Sequence, residues 1–318
     1  MGLPERPSSD EGNLLTLATI TTTTATAARD IRGVIWSYIR LTKPRIVMLL
    51  VITTIPAMML AEGGMPSAWL MLATVFGGSV VAGGANALNM YFDRDIDQIM
   101  VRTRVRPVPS GQVDPEKAAI FGIVLGGAGF AFMQVFVNPL AAFLTIGALA
   151  FYVVVYTLIL KRSTPLNIVI GGAAGAMPPV IGWAAVTGSV SVEALLMFAI
   201  VTLWTPPHFW ALSLNYSSDY KRAGVPMLPV VSGIDETKRQ ILLYSFALVA
   251  ATIALAFLSD AGLFYLASAA ALGAGFLYYA AKLWRSGALR DATGLFRYSI
   301  LYLALLFGAI ALDVLIRT

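Results

Sequence analysis

Long, continuous runs of apolar residues fill most of the chain after residue 37. Nine runs recur, and each is close to the roughly 20 residues that an α-helix needs to cross about 30 Å of hydrocarbon. The apolar positions are contiguous rather than alternating, which indicates helices and not the strands of a membrane barrel. The pattern predicts an all-α polytopic membrane protein with nine transmembrane helices, at 46–63, 68–91, 118–136, 139–160, 165–187, 192–214, 238–259, 262–282 and 296–315.

The first 37 residues lack this pattern. They are polar and rich in Ser and Thr, with a run of four from Thr21 to Thr24, and they carry acidic residues but no long apolar core. The missing apolar core argues against a secretory signal. We therefore predict a disordered cytoplasmic tail over residues 1–37 and one transmembrane domain over residues 38–318.

The composition supports a membrane protein and excludes other classes. Of the 318 residues, 58% are hydrophobic and only 12% are charged, against about 25% charged in ordinary globular domains. So few charges cannot cover a water-facing surface, which excludes a soluble enzyme and a nucleic-acid-binding domain. The chain has no Cys and one His, which excludes disulfides, thiolate–metal sites and multi-His metal sites.

The distribution of basic residues predicts the orientation. Of the 22 Lys and Arg residues, only Arg317 falls on the side of the membrane reached after the odd-numbered runs. Lys and Arg are enriched in cytoplasmic loops. We therefore expect a multi-pass protein of the inner (plasma) membrane, with its N-terminus in the cytoplasm and its C-terminus outside.

The second run ends in an acidic stretch. Asn89, Asp93 and Asp97 are spaced i, i+4, i+8, so they share one face of a helix. Carboxylates this close repel one another, and a hard cation relieves the repulsion. Mg²⁺ takes one or two carboxylates and keeps its other positions for water and substrate phosphates. The stretch therefore indicates a site for Mg²⁺, or for Mn²⁺ in its place.

The same stretch has a simpler interpretation. An acidic helix end can face water, with Arg94 and Arg102 as its ion-pair partners. Asp95 lies between the other two aspartates in sequence but points away from the face that they share.

The sixth run ends in a related pattern. Asn215 and Asp219 repeat the Asn-x-x-x-Asp spacing, 126 positions after Asn89 and Asp93. The two patterns predict a degenerate internal repeat that places two metal-binding helix ends opposite each other. Such ends would hold a diphosphate through bridging metal ions, with basic side chains on its remaining oxygens. The candidates for that role are Arg102, Arg106, Lys161 and Arg162.

These motifs carry a family resemblance that covers residues 37–318. The stretch from Asn89 to Pro107 resembles the first motif of the UbiA superfamily of intramembrane prenyltransferases. Four other stretches are similar to its protohaem IX farnesyltransferase (haem O synthase) group: Leu41–Arg45, Lys161–Asn167, Pro207–Leu212 and Asp219–Pro229.

The resemblance implies a UbiA-type fold, with nine helices around a central cavity. It implies transfer of farnesyl from farnesyl diphosphate to a vinyl group of haem B, with addition of water, giving haem O and diphosphate. Haem B is then a substrate rather than a cofactor. Haem A synthase and cytochrome oxidase assembly proteins are candidate partners. The expected metal ligands are Asn89, Asp93, Asp97, Asn215 and Asp219, and the expected catalytic residues are Asp93, Asp97, Asp219 and His208.

His208 is the main candidate on the acceptor side. It lies seven residues before Asn215, which is two helical turns. Axial ligation of haem iron by His208 is one hypothesis; the alternative is a cavity histidine that orients substrate or packs. Lys43 and Arg45 are candidates for binding the haem propionates. Aromatic faces that would stabilise a prenyl cation are expected from Tyr91, Tyr152, Tyr156 and Trp210.

Two other functions remain open from the sequence. One is a UbiA-type enzyme with a different acceptor, such as a quinone precursor or chlorophyllide. The other is a secondary transporter, whose internal repeat and intramembrane polar residues would look partly similar.

Overall fold

The computed structural model describes residues 31–259, 261–286 and 288–318, and within these ranges the chain is helical, without strands. Nine segments of this part of the chain are long and apolar enough to span a membrane, so the nine-helix prediction is confirmed. In chain order the helices are α1 (31–41), α2 (Pro44–Glu62), α3 (Ala68–Phe92), α4 (Arg94–Ile99), α5 (Pro115–Phe136), α6 (Pro139–Ala150), α7 (Lys161–Ser163), α8 (Asn167–Gly175), α9 (Met177–Thr187), α10 (Val192–Asn215), α11 (Ser217–Arg222), α12 (Leu228–Val231), α13 (Gly233–Leu258), α14 (Leu263–Ser286) and α15 (Leu289–Arg317).

Two of the nine spans are composite. A π-helical segment, Phe151–Leu160, joins α6 to α7, and the three pieces form the fourth span, Pro139–Ser163. α8 and α9 follow each other with a single residue, Ala176, between them, and form the fifth span. The other spans are α2, α3, α5, α10, α13, α14 and α15.

Several helices extend beyond the apolar runs. α13 and α15 begin five and seven residues earlier than their runs. The added turns carry acidic side chains, including Asp235, Glu236 and Asp291. Hydropathy marks only the part of a helix that lies in hydrocarbon, whereas its backbone hydrogen bonds continue into turns that face water. The apolar pattern therefore underestimates the length of these helices.

α1 lies partly in the region where we expected a disordered tail. Residues 31–37 are helical, so the expectation of disorder does not hold for them; residues 1–30 lie outside the described residues. The helix is held by tertiary contacts, because Leu41 is buried in a cluster with residues of the segment after α4, and Ser37 Oγ lies 3.2 Å from Gln112 Oε1.

The spans form a closed ring. Each span packs against the next along the chain, and α15, the last, packs against α2, the first. The tightest neighbours are α3 and α5, where a Cβ on Gly84 would lie 2.6 Å from the carbonyl oxygen of Gly122. Small residues allow such close backbone approach, which is how helices gain packing energy in lipid.

A cavity of about 570 Å³ lies inside the ring, with walls from α2, α3, the fourth span, α8 to α10 and α15. Its lining is mostly aliphatic and aromatic. Arg45 and Asn86 line it near the ends of α2 and α3 that meet α1 and α4, and His208 lines it from α10. The cavity therefore has a mainly apolar lining with a few polar groups, which is typical of binding sites for apolar ligands.

Candidate functional site

The first acidic stretch lies at a break between two helices. α3 ends at Phe92, Asp93 adopts φ −89° and ψ 2°, and α4 then begins at Arg94. The hydrogen-bond pattern nevertheless continues across the break, since Asp93 N donates to Asn89 O at 2.9 Å and Asp97 N to Asp93 O at 2.8 Å. We call Asn89, Asp93 and Asp97 the first cluster.

The first cluster is buried and bound by side chains from other segments. Asn89 and Asp93 are 3% and 0% exposed. Asn89 Nδ2 donates to Asp93 Oδ2 at 2.7 Å, and Lys161 Nζ pairs with the same oxygen at 2.5 Å. Lys43 Nζ donates to Asn89 Oδ1 at 2.9 Å. The other oxygen, Asp93 Oδ1, is buried and has no hydrogen-bond partner in the described part of the chain.

Asp97, in α4, is neutralised by a side chain from the loop that follows this helix. Arg106 Nη1 lies 3.0 and 2.7 Å from the two carboxylate oxygens of Asp97. The Thr103 hydroxyl donates to the Asp97 backbone carbonyl at 3.2 Å. These contacts fold the chain after α4 back onto the cluster, so that Arg106 lies beside a carboxylate nine positions earlier.

The π-helical segment determines how Asn89 is oriented. The Thr157 hydroxyl donates to the Tyr152 carbonyl at 2.9 Å, and Asn89 Nδ2 donates to Thr157 Oγ1 at 3.1 Å. Because the single hydroxyl proton of Thr157 is committed to a carbonyl, its oxygen can only accept from the amide. Asn89 therefore presents its nitrogen to Thr157 and its oxygen to Lys43.

Lys43 has an unusual backbone conformation. It lies just before the first span with φ 51°, in the left-handed region, and it is the one residue other than Gly with positive φ in the described part of the chain. Such a conformation is costly for a residue with a Cβ and persists only where surrounding contacts impose it. Burial, with a smaller effect of the Arg106 charge, lowers the pKa of Lys43 to about 7.

Asp95 points away from the first cluster, as its position in the sequence predicts. Its side chain is 60% exposed and pairs with Arg162 at 2.7 Å, and Arg162 also donates to the Phe92 carbonyl at 2.8 Å. The Arg162 guanidinium lowers the pKa of Asp95 from 3.8 to about 2. Arg162 is thus placed on the outer side of the helix end, away from the other expected diphosphate ligands.

Asn215 and Asp219 form a second cluster with different surroundings. α10 ends at Asn215, and α11 begins only after Tyr216, so the two residues do not lie on one continuous helix. Asn215 Nδ2 donates to the Ala211 carbonyl of its own helix at 3.3 Å. Asp219 pairs with Arg222, one turn further along α11.

The basic candidates divide into two groups. Lys161 and Arg106 lie on the carboxylates of the first cluster. Arg102 lies over the ring of Tyr216, 5.7 Å from its centroid, next to the second cluster. Neither Arg94 nor Arg102 pairs with an aspartate among the described residues; Arg94 donates to the Tyr91 carbonyl at 2.8 Å. The structure therefore does not support a solvated acidic end with these two partners.

Across the ranges that the structure describes, the acidic side chains do not converge on one metal site. Among the described residues, no three His, Asp or Glu side chains gather closely enough to hold one. Asp93, Asp97 and Asp219 therefore do not form a single ligand set. The first cluster fits a cation that takes one or two carboxylates, because Asp93 Oδ1 is buried and without a hydrogen-bond partner in the described part of the chain.

Only some of the residues expected to contact the acceptor or the prenyl cation line the cavity. Arg45, Tyr152, Tyr156 and His208 line it, and the two tyrosine rings stack 5.4 Å apart. The other three candidates, Lys43, Tyr91 and Trp210, contact Asn89, Arg94 and Tyr244 respectively.

His208 is held in an aromatic stack. Its ring lies 4.2 Å from that of Trp204 and 4.7 Å from that of Phe296, at 17° and 26° to their planes. Its Nδ1 lies 2.7 Å from Ser299 Oγ. Neither Phe296 nor Ser299 could be found from the sequence, since both occur in an apolar stretch of the last span without any motif.

Sequence comparisons place the chain among prenyltransferases. A model of the UbiA prenyltransferase family matches residues 50–310. Protoheme IX farnesyltransferase 1 of Saccharopolyspora erythraea is 53% identical over 89% of this chain and 91% of that protein. Protoheme IX farnesyltransferase of Frankia alni is 50% identical over 88% and 98%. That of Roseiflexus castenholzii is 51% identical over 87% of this chain, which spans about half (52%) of that longer protein.

Solved structures share the fold. A structure of digeranylgeranylglyceryl phosphate synthase superposes with a TM-score of 0.73 and 20% identity, over 88% of this chain and 98% of that one. A UbiA homolog from Archaeoglobus fulgidus, bound to GPP and Mg²⁺, superposes with a TM-score of 0.62 and 17% identity, over 86% and 99%.

Proposed function

Since the chain belongs to the UbiA prenyltransferase family, we propose that it transfers the farnesyl group of farnesyl diphosphate to a vinyl group of haem B. Relatives about half identical to it carry the name protoheme IX farnesyltransferase. The family match is to transferases, so the transporter alternative loses its support. A quinone precursor or chlorophyllide as acceptor is the remaining competitor.

One observation carries the proposal: a buried, charged cluster borders an apolar cavity. Asn86 lines the cavity one turn before Asn89. The π-helical segment lines it through Tyr152 and Tyr156 and also contacts Asn89 through Thr157. An allylic diphosphate has the same two parts, a charged head and an apolar chain, and would place its head on the cluster and its chain in the cavity.

A divalent metal ion is expected with the diphosphate. Asn89, Asp93 and Asp97 would hold Mg²⁺, or Mn²⁺ in its place, from one side, and Asn215 with Asp219 would approach the diphosphate from the other. The ion, when bound, supplies positive charge that stabilises the departing diphosphate. Among the described residues, the three aspartates do not gather into one metal site. A ligand that bridges the two clusters therefore fits better than one metal ion held by all five residues.

The basic side chains bind the leaving group. Lys161 and Arg106 lie on the first cluster, and Arg102 lies beside the second. Their charges would stabilise the negative charge that grows on diphosphate as the allylic C–O bond breaks. Arg162, bound to Asp95 and to a backbone carbonyl, would act only by fixing the end of α3.

The cavity protects the farnesyl cation. Water would quench the farnesyl cation, and an apolar lining keeps water from the cation until its bond to the vinyl carbon has formed. The water that completes the reaction would enter after that bond has formed. The stacked rings of Tyr152 and Tyr156 present electron-rich faces to the developing positive charge. The cation adds to the terminal vinyl carbon of haem, water adds to the neighbouring carbon, and a proton is released, so that haem O and diphosphate are formed.

Haem would enter the cavity on the side of α10 and α15. His208 is our candidate for an axial ligand of its iron, and Arg45, which lines the cavity, together with Lys43 would bind the propionates. Replacing His208 with Ala should weaken haem binding and change its visible spectrum. An unchanged spectrum and affinity would reject ligation.

We also propose a cellular setting. The distribution of basic residues supports an orientation in which both acidic clusters face the cytoplasm at the plasma membrane, with the N-terminus inside and the C-terminus outside. Haem O leaves as a substrate for a haem-modifying enzyme, so haem A synthase and cytochrome oxidase assembly proteins are expected partners.

The decisive experiment is a reconstituted reaction. Purified protein with Mg²⁺, farnesyl diphosphate and haem B should yield the mass of haem O, and chelation of the metal should stop it. Parallel reactions contain a quinone precursor or chlorophyllide instead of haem. Product from one of those acceptors, with none from haem, would contradict the proposal.

A further inference from the structure

The hydrogen bonds around His208 fix which ring nitrogen carries the proton. Ser299 Oγ donates to the Phe296 backbone carbonyl at 2.7 Å, and a carbonyl can only accept. A serine hydroxyl has a single proton. The contact between Ser299 Oγ and His208 Nδ1, at 2.7 Å, must therefore be donated by the histidine, so that Nδ1 bears the hydrogen.

The surroundings of the ring favour a neutral imidazole. Both of its faces are covered by aromatic rings, and among the described residues it forms no ion pair with a carboxylate. A charge in such a setting would be costly without a partner. A neutral imidazole has one N–H, so with Nδ1 protonated, Nε2 has a free lone pair.

Ser299 also binds Trp204, one of the two aromatic residues that stack on His208. Its backbone carbonyl accepts a hydrogen bond from Trp204 Nε1 at 2.8 Å, and the serine is fully buried. One residue of α15 thus contacts both members of the Trp204–His208 stack on α10. The ring of His208 is prevented from tilting by its two neighbours and from flipping by its bond to the hydroxyl.

We propose that Ser299 is a positioning residue that presents the bare Nε2 of His208 to the acceptor in the cavity. With Nδ1 bonded and both faces covered, Nε2 lies on the edge of the ring left to the cavity, which His208 lines. A lone pair on an imidazole nitrogen is a ligand for iron, and a hydrogen bond to the other nitrogen raises its basicity. This inference rests on the proposed function only for the identity of the acceptor, haem.

The protonation pattern can be measured directly, because the chain contains one histidine. The full-length protein is labelled with ¹⁵N-histidine, its affinity tag is removed, and the long-range ¹H–¹⁵N spectrum is recorded in nanodiscs without haem. We expect a protonated Nδ1 and a bare Nε2. In Ser299→Ala the proton should move wholly or partly to Nε2. A protonated Nε2 in the unmodified protein, or an unchanged pattern in Ser299→Ala, would overturn the inference.

Haem titration gives a second readout. Ser299→Ala should weaken haem B binding by roughly 10-fold, as expected for loss of a residue that orients a metal ligand, and Ser299→Thr, which keeps the hydroxyl, should restore it. Ser245→Ala is the matched control, since Ser245 is equally buried but bonds only the Ile241 carbonyl of its own helix, at 2.6 Å. Equal weakening in both alanine variants would show a merely structural role.

The two readouts separate this inference from the proposed function. Absence of haem O formation together with a protonated Nδ1 would reject the acceptor but keep the role of Ser299. Formation of haem O with a protonated Nε2 would keep haem as the acceptor but reject the role of Ser299. If Ser299→Ala does not fold, the spectra of the unmodified protein and of Ser299→Thr still decide, because both retain the hydroxyl and must show a bare Nε2.

Discussion

The two acidic clusters have the same sequence spacing but are bound in different ways. Side chains of the first cluster contact residues that come from before α2, from the π-helical segment, from α7 and from the loop after α4. Among the described residues, those of the second bond within their own stretch of chain, Asn215 to Ala211 and Asp219 to Arg222. Repetition of a motif therefore does not imply repetition of its environment.

The difference suggests that the two clusters have different roles in the site. The first cluster is pre-organised, because its three members together are held by side chains from four other segments of the chain. In the second cluster Asp219 is itself buried, but its partner Arg222 is 56% exposed and lies on the same short helix. We therefore expect this cluster to rearrange around a substrate at a lower cost than the first. We expect the first cluster to set the position of the reacting bond and the second to complete the site.

The strongest test of this difference in roles is Asp93→Asn. The substitution keeps the size of the side chain but removes the negative charge that pairs with Lys161 and that would bind a cation. We expect kcat to fall by about 10²–10³-fold, as for the loss of one charge-stabilising group in an active site, measured as haem O formed at saturating substrate.

Asp95→Asn is its control, two positions away and largely exposed. It should leave kcat within about 2-fold, since exposed ion pairs contribute little. Equal losses in the two variants would mean that net charge at this helix end matters and the buried geometry does not.

Asp219→Asn should have a smaller effect than Asp93→Asn. Its partner Arg222 stays solvated when the charge is removed, and no other helix loses a contact. We expect a loss of about 30-fold, within the range for residues that tune rather than build a metal site, seen mainly in KM for farnesyl diphosphate. A loss in kcat as large as that of Asp93→Asn would show that the two clusters are equivalent.

Thr157→Val tests whether the orientation of Asn89 matters while the charges of the first cluster stay unchanged. The variant removes the hydroxyl that fixes the amide of Asn89. The Mg²⁺ concentration needed for half-maximal activity should rise by about 10-fold, and Thr157→Ser should restore it. Thr237→Val is the matched control: Thr237 is equally buried, and its hydroxyl bonds only the Gly233 carbonyl, at 2.7 Å. A similar rise in that control would refute the orienting role.

The smallest effect is expected for the Asp95–Arg162 pair. A double-mutant cycle with Asp95→Asn and Arg162→Gln should give a coupling below about 1 kcal/mol, because the pair is exposed and screened. The folded pKa of Asp95, about 2, lies below its ordinary 3.8. The contribution is therefore fully present above about pH 4 and is lost as the pH falls towards 2. Thermal midpoints in detergent at several pH values measure it, and a coupling that grows below pH 4 would contradict this account.

The sequence predicted features that depend on local periodicity. The nine spans follow from apolar runs, and the contact of Asn89 with Asp93 follows from their spacing of four. Asp95 was correctly expected on another face for the same reason. These predictions need only the geometry of one helix.

Features that depend on other segments were missed. The pairing of Lys161 with Asp93 joins residues 68 positions apart, and the π-helical segment before Lys161 turns that residue away from the face that a regular α-helix would give it. The break at Tyr216 likewise ends the helix on which Asn215 and Asp219 were expected to share a face. Ser299 has no signal in the sequence, because the role proposed for it depends on bonds between α15 and α10.

The closure of the ring by α15 has a consequence for biogenesis. The ninth span supplies Ser299 and Phe296 and packs against the first span, so it is synthesised after the helices that it contacts. In the proposed site, the residues expected to bind diphosphate have been synthesised shortly after the sixth span, whereas Ser299 and Phe296, which contact His208, arrive with the ninth. We therefore expect a nascent chain to acquire its charged pocket before the pocket proposed for the acceptor.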